Sequence, residues 1–153
     1  MTYKFENISS CRIAFARGLG PYGADNYKTM EKIKLFAKSN DLFGDNSVIL
    51  GIAQDNPEHT KPEDCRYDAC LVVSDDFHTS AKGINLGKIQ SGKYAVFTII
   101  HTAEEVKKAW TEIFHELARN GNQIDFTKPV IERYATKMVQ DNKCEICIPV
   151  QNS

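Results

Sequence analysis

A carboxylate in the apolar segment KPVIERYATKM, residues 128–138, is the group of this sequence best suited to chemistry. The segment predicts a β-strand, and alternate side chains of a strand share one face. Glu132 then lies on an apolar and aromatic face, whereas Arg133 lies on the face expected to meet solvent. The predicted faces carry Val130, Glu132, Tyr134 and Met138 on one side and Ile131, Arg133, Ala135 and Lys137 on the other. Because an unpaired charge among apolar groups is costly, the position of Glu132 needs an explanation.

Three explanations of this position are open. A strand at the edge of a sheet, or a register displaced by one residue, would let Glu132 face water. A lysine or arginine could pair with it inside the protein. In the third explanation Glu132 faces a bound cation, which aromatic walls attract further through cation–π contacts. The aromatic residues available for such walls are Tyr22, Tyr27, Tyr67, Tyr94, Trp110 and Tyr134.

Acid–base catalysis is another use for the same carboxyl group. Burial raises the pKa of a carboxyl, so Glu132 could act as a general acid or base with Tyr134 as its nearest partner. The two would then be the catalytic residues of a small hydrolase. The sequence contains no G-x-S-x-G, P-loop or H-E-x-x-H motif to indicate a common class of enzyme. We therefore expect binding rather than catalysis.

Five cysteines raise the question of metal or redox chemistry. Cys144 and Cys147 form a C-x-x-C motif, but they lie in a predicted strand, where residues three apart point to opposite faces. A structural zinc ion also takes four ligands. We expect reduced thiols that are mostly buried in the core, and neither a bound metal nor a cofactor.

Composition limits the classes of partner. The chain of 153 residues is 42% hydrophobic and 25% charged, with a net charge of −1, which is typical of a globular protein. Its lysines and arginines are scattered, so direct binding to nucleic acid is not expected. No apolar run is long enough for a signal peptide or a membrane span. We expect a soluble cytoplasmic protein without membrane contact.

The order strand, helix, strand, strand occurs twice, with a repeat near 80 residues. The second predicted helix, residues 102–120, has Thr102 as its N-cap and one apolar stripe. The first, from about 25 to 40, has a stripe of Tyr27, Met30, Ile33 and Ala37. Between the repeats, Ala14 matches Ala95, Leu50 matches Glu132 and Cys70 matches Cys147. The pattern predicts an α+β fold of duplicated β-α-β-β units about a pseudo-two-fold axis, with an antiparallel sheet and a ligand cleft between the repeats.

Four motifs, in their order and spacing, resemble the GyrI-like family over nearly the whole chain: RGLGPYG, CRYDACLVV, GKYAVF and KPVIERY followed by CEICIPV. This family includes the effector-binding domains of AraC-type and Rob- or BmrR-type bacterial regulators, gyrase-inhibitory proteins and relatives similar to small hydrolases. The resemblance implies a pocket between the repeats in which Glu132 meets cationic, aromatic or lipophilic molecules. The sequence departs from many members after the YAVF strand, where IIHTAEEV replaces a glycine-containing turn.

Together these arguments predict a single GyrI-like effector-binding domain over residues 1–153, with repeats at about 1–75 and 84–151. We expect a stand-alone multidrug-type binder of lipophilic, aromatic and cationic molecules that acts in sensing, sequestration or drug protection. The alternatives are a small hydrolase and a gyrase-inhibitor-like protein whose partner is gyrase or a regulator. The ligand-binding residues predicted are Glu132, Tyr134, Tyr22, Tyr67, Trp110 and Tyr94.

Overall fold

The computed structural model of the chain describes residues 1–151. Within these residues the strands are β1 Lys4–Ile8, β2 Cys11–Leu19, β3 Val48–Ala53, β4 Arg66–Val73, β5 Asn85–Ile89, β6 Gly92–Ile100, β7 Ile131–Ala135 and β8 Lys143–Pro149. The α-helices are α1 Ala24–Ser39, α2 Ala103–Arg119 and α3 Thr136–Gln140. The strands form one sheet in the order β1-β6-β8-β7-β3-β4-β2-β5, and each neighbouring pair is antiparallel. The predicted α+β class and antiparallel sheet are confirmed.

The predicted duplication is confirmed and is longer by one strand per repeat. Strands β1 and β5 begin 81 positions apart, at residues 4 and 85, and so do β2 and β6, at residues 11 and 92. Each repeat is therefore a β-β-α-β-β unit. Its first strand pairs with the second strand of the other repeat, β1 with β6 and β5 with β2. We refer to this arrangement as the strand exchange.

The pseudo-two-fold axis passes between the central strands β3 and β7. Gly51 of β3 pairs with Glu132 of β7, and these two residues are also 81 positions apart. The predicted match of Leu50 with Glu132 is thus displaced by one residue. Leu50 pairs with Cys70, as Ile131 pairs with Cys147, so Leu50 is the counterpart of Ile131, and both lie in the same core. The counterpart of Glu132 is Gly51.

The helices follow the predicted pattern, with one correction. The Thr102 hydroxyl accepts a hydrogen bond from the Glu105 backbone N–H at 3.2 Å, which confirms the N-cap of α2. Ala109, Ile113 and Leu117 of its stripe are buried. Tyr27 of α1 is 68% exposed, so its place on the apolar stripe was wrongly predicted. The buried face of α1 comprises Thr29, Ile33, Phe36 and Ala37.

The predicted long strand at residues 128–138 is shorter in the structure. It ends at Ala135, and α3 follows at once, so Lys137 and Met138 belong to a helix rather than to strand faces. The Thr136 backbone N–H still donates to the Ser47 carbonyl at 3.1 Å, in the register of β3 with β7, so the last bond of the ladder is made by the residue at which α3 begins. The predicted shared face of Val130, Glu132 and Tyr134 is unaffected.

Both faces of the curled sheet carry apolar cores. The face under α1 and α2 packs against the helices, whereas the opposite, concave face packs against itself, with Ile13 and Ile89 near Val96 and Ile131. Cys144 lies in the helix-side core and Cys147 in the concave core, so their sulfurs point to opposite faces, as predicted. In residues 1–151, no helix is long and apolar enough to span a membrane.

The concave core also contains a buried ionic cluster, which we call the arginine triad. Arg133 donates to Glu6 through both terminal nitrogens at 2.8 and 3.0 Å and to Glu145 through Nε at 2.8 Å. The side chains of Arg133 and Glu145 are only 18% and 6% exposed. The prediction that Arg133 faces solvent is therefore wrong. Arg133 does lie on the other face of β7 from Glu132, as predicted, but that face of the strand is covered as well.

Candidate ligand-binding site

Glu132 lies on the floor of a pocket at the centre of the sheet. Helix α1 packs on β2 and β4 and helix α2 packs on β6, so the central strands β3 and β7 lie between the two helices. The side chain of Glu132 points to the helix side, as the alternation of β7 requires. The pocket that includes Glu132 has a volume of about 930 Å³, and its lining extends to Ile13, Ile52 and Ile89 of the concave face. This volume falls within the range of ordinary small-molecule sites.

Three hydrogen-bond donors face the Glu132 carboxylate. The Tyr67 hydroxyl donates to Oε1 at 3.1 Å, and the Tyr134 hydroxyl and the Trp110 indole N–H are directed to the same carboxylate. Gly51 makes this arrangement possible. A Cβ atom at residue 51 would lie 2.2 Å from the Tyr67 hydroxyl and 2.8 Å from Glu132 Oε1. The glycine of one repeat thus leaves space for the acid of the other.

Burial controls the protonation of this group. Removal from water raises the pKa of Glu132, and the hydrogen bonds from Tyr67, Tyr134 and Trp110 lower it only in part. Burial, with the negative charge of Glu132 as the next cause, raises the pKa of both tyrosines, so they remain protonated donors. The donors hold the carboxylate in place but leave its charge without an opposite charge.

Three acidic residues line the pocket, and Glu132 differs from the other two in having no cationic partner. Asp68 forms two hydrogen bonds of 2.8 Å with Arg17, and Asp55 pairs with Arg66 at 2.8 Å. In the described part of the chain, no lysine, arginine or histidine nitrogen lies within 4.0 Å of the Glu132 carboxylate. An internal ion pair is therefore ruled out. An edge strand is ruled out too, because β7 lies between β3 and β8.

The five aromatic residues predicted to bind the ligand take three kinds of position. Tyr22, Tyr67 and Trp110 line the pocket with Glu132. Tyr134 directs its hydroxyl to Glu132 while its ring packs into the cores beside the pocket. Tyr94 was wrongly placed as a pocket wall. It is fully buried in the concave core, where its hydroxyl donates to the Pro129 carbonyl at 3.3 Å.

Several lining residues were not predicted from the sequence. Phe114 stacks beside Trp110, with ring centroids 6.2 Å apart and an interplanar angle of 25°. It lies one helical turn after Trp110, and this spacing of four residues could have identified it. Phe126 lies in the loop before β7 and has no periodic pattern to mark it. Gly51 could have been identified only from the repeat register that the structure shows.

Comparison with known proteins assigns the class of this fold and site. The pattern of the GyrI-like small molecule binding domain matches residues 1–151. The chain therefore belongs to the GyrI-like small-molecule-binding domain family.

Particular relatives agree with this assignment. The SPbeta prophage-derived protein YosT of Bacillus subtilis (strain 168), named as a candidate transcriptional regulator, is 41% identical over 152 residues, which are 99% of this chain and 100% of YosT. The EcmrR C-terminal domain superposes with a TM-score of 0.73 at 17% identity, over 100% of both chains. SAV2435 bound to tetraphenylphosphonium superposes with a TM-score of 0.62 at 14% identity, over 99% of this chain and 95% of that one. At these low sequence identities, the two superpositions show that the fold is shared and nothing more.

Proposed function

We propose that this protein binds lipophilic cations, with Glu132 as the counter-ion and aromatic side chains as the walls of the site. The observation that carries the proposal is a half-buried carboxylate with no cationic partner within 4.0 Å, whose pKa is raised by desolvation. A ligand cation would supply the missing charge, and Trp110 and Tyr67 would add cation–π attraction of about 0.5–2 kcal/mol. A role in sensing or sequestering such molecules follows from this chemistry. The tetraphenylphosphonium complex of SAV2435, a protein of the same fold, supports the choice of a probe.

Thermal unfolding in the presence of tetraphenylphosphonium tests the proposal directly. At 100 times the dissociation constant a ligand stabilises the folded protein by about 2.7 kcal/mol, which corresponds to a rise of roughly 5–10 °C in Tm for a chain of this size. Glu132→Gln removes the charge and keeps the shape, so we expect about tenfold weaker binding of the cation. The neutral analogue triphenylphosphine oxide should bind both proteins alike.

Glu112→Gln is the matched control, because Glu112 is an exposed acid on α2 outside the pocket lining. It should bind the cation as wild type does. The proposal is contradicted if tetraphenylphosphonium leaves the Tm of wild type unchanged, or if Glu132→Gln binds it equally well.

In the ligand-free protein, Glu132 should lower the thermal stability, and the size of this effect should depend on pH. The folded-state pKa of this carboxyl is raised above its ordinary value of 4.5, so its contribution to stability is fully present below pH 4.5 and is lost as the pH rises through the raised value. At pH 7, Glu132→Gln should therefore melt a few degrees above wild type, and the difference should shrink toward pH 4. Thermal unfolding between pH 4 and 8 measures it. A constant difference across this range would contradict the expectation.

A further inference from the structure

Phe126 is the most exposed large apolar residue among residues 1–151, with 89% of its surface accessible. It nevertheless lines the same pocket as Glu132. Single exposed apolar residues are common on protein surfaces and need no explanation by themselves. Phe126 differs from most other exposed apolar residues in that it lines a pocket, where a bound ligand would meet its ring.

The backbone holds Phe126 in place rather than leaving it on a loose loop. Asp125 accepts hydrogen bonds from the Thr127 backbone N–H and from Lys128 Nζ, both at 3.0 Å. These bonds, together with one from the Thr127 hydroxyl, lower the pKa of Asp125 to about 2. The Asp125 N–H donates to the Pro149 carbonyl at 2.9 Å, which ties the turn to the end of β8. The ring is thus presented on a fixed turn.

Other aromatic side chains border the same opening. Phe114, 38% exposed, stacks on Trp110 from helix α2, and Trp110 directs its indole N–H to Glu132. Phe126 contributes a ring to this pocket from a different element, the turn before β7. The pocket therefore combines a charged floor with aromatic surfaces from a helix and from a fixed turn.

We propose that Phe126 is a ligand-contacting residue that covers the apolar part of a bulky aromatic cation while the charge of that cation lies near Glu132. The inference rests on the proposed function and specifies its ligand class. The preferred ligand carries several aromatic rings around its charge. A compact ion such as tetramethylammonium could lie near Glu132 without touching the ring of Phe126. The hydrogen-bonded turn holds the backbone at Phe126, so binding would need to order only the side chain of this exposed residue.

Isothermal titration calorimetry with tetraphenylphosphonium and tetramethylammonium tests the inference. Phe126→Ala should bind tetraphenylphosphonium roughly tenfold more weakly than wild type, while any binding of tetramethylammonium should be unchanged. Since the ring is exposed, the variant should unfold at the Tm of wild type. Tyr27→Ala is the matched control, because Tyr27 is 68% exposed and lies outside the pocket lining, and it should bind like wild type.

The two proposals fail in different ways. If wild type binds neither cation, the proposed function is wrong and the inference falls with it. If wild type binds tetraphenylphosphonium and Phe126→Ala binds it equally well, the pocket binds cations but the ring is not part of the site. Equal losses of both cations in Phe126→Ala would also overturn the inference, because they would indicate a disturbed pocket rather than a lost ring contact.

Discussion

Arg133→Ala should lower the free energy of unfolding by roughly 3–5 kcal/mol, the usual cost of removing one partner from a buried ionic cluster. The change would leave Glu145 with an uncompensated charge in the concave core, where its side chain is 6% exposed. It would also release Glu6 and with it the side-chain link between β1 and β7. Urea or guanidinium unfolding at pH 7 measures the loss.

Two further variants make this prediction specific. Arg66→Ala removes an arginine from a more exposed pair, with Asp55, and should cost at most about 1 kcal/mol. The double variant Arg133→Met and Glu145→Leu replaces the buried charges with apolar groups and should recover most of the stability lost in Arg133→Ala. A cost for Arg133→Ala no larger than that of Arg66→Ala would show that the arginine triad does not stabilise the fold.

Gly51→Ala should disturb the pocket floor without changing any charge. The added Cβ would lie 2.2 Å from the Tyr67 hydroxyl and 2.8 Å from Glu132 Oε1, and Tyr67 is buried and cannot turn aside freely. Overpacking of this kind costs about 1–3 kcal/mol of stability. Because Glu132 and one of its donors must both move, binding of tetraphenylphosphonium should weaken at least tenfold. Chemical unfolding and calorimetric titration measure the two effects.

Gly44→Ala is the matched control for this change. No atom would lie within 4 Å of a Cβ at residue 44, so that variant should remain within about 1 kcal/mol of wild type and bind the cation normally. If Gly51→Ala behaves like Gly44→Ala, the close approach of Tyr67 and Glu132 to residue 51 has no energetic importance.

The position of Glu132 could be predicted because side-chain alternation is a local property of a strand. The same rule failed for Arg133, since alternation separates two faces but does not tell whether the second face is also covered. Tyr94 was predicted as a wall only because it is aromatic, without an assignment to a strand face. In this sheet both faces are buried, so Arg133 became a core residue with two acidic partners and Tyr94 packed away from the pocket.

The exchanged strands β1 and β5 could not be predicted for a different reason. KFENI and NLGKI are short, and their burial is incomplete and irregular because each lies at an edge of the sheet. Their partners are distant in sequence, β6 for β1 and β2 for β5, so no hairpin turn in the sequence indicates the pairing. Phe126 lies in a connection without periodicity, and only its exposure beside the pocket distinguishes it.

The strand exchange and the pseudo-two-fold axis show how a tandem chain differs from a symmetric dimer of one repeat. Two separate copies of one repeat, each lending its first strand to the other, would form a dimer with the same residue on both sides of the axis at positions 51 and 132. Two carboxylates would then meet across paired strands, where Cα atoms are only about 5 Å apart, and repel each other. In a tandem chain the two repeats need not have the same residue at this position. Such a chain can place glycine on one side and glutamate on the other, so a single negative charge occupies a site that symmetry would otherwise double.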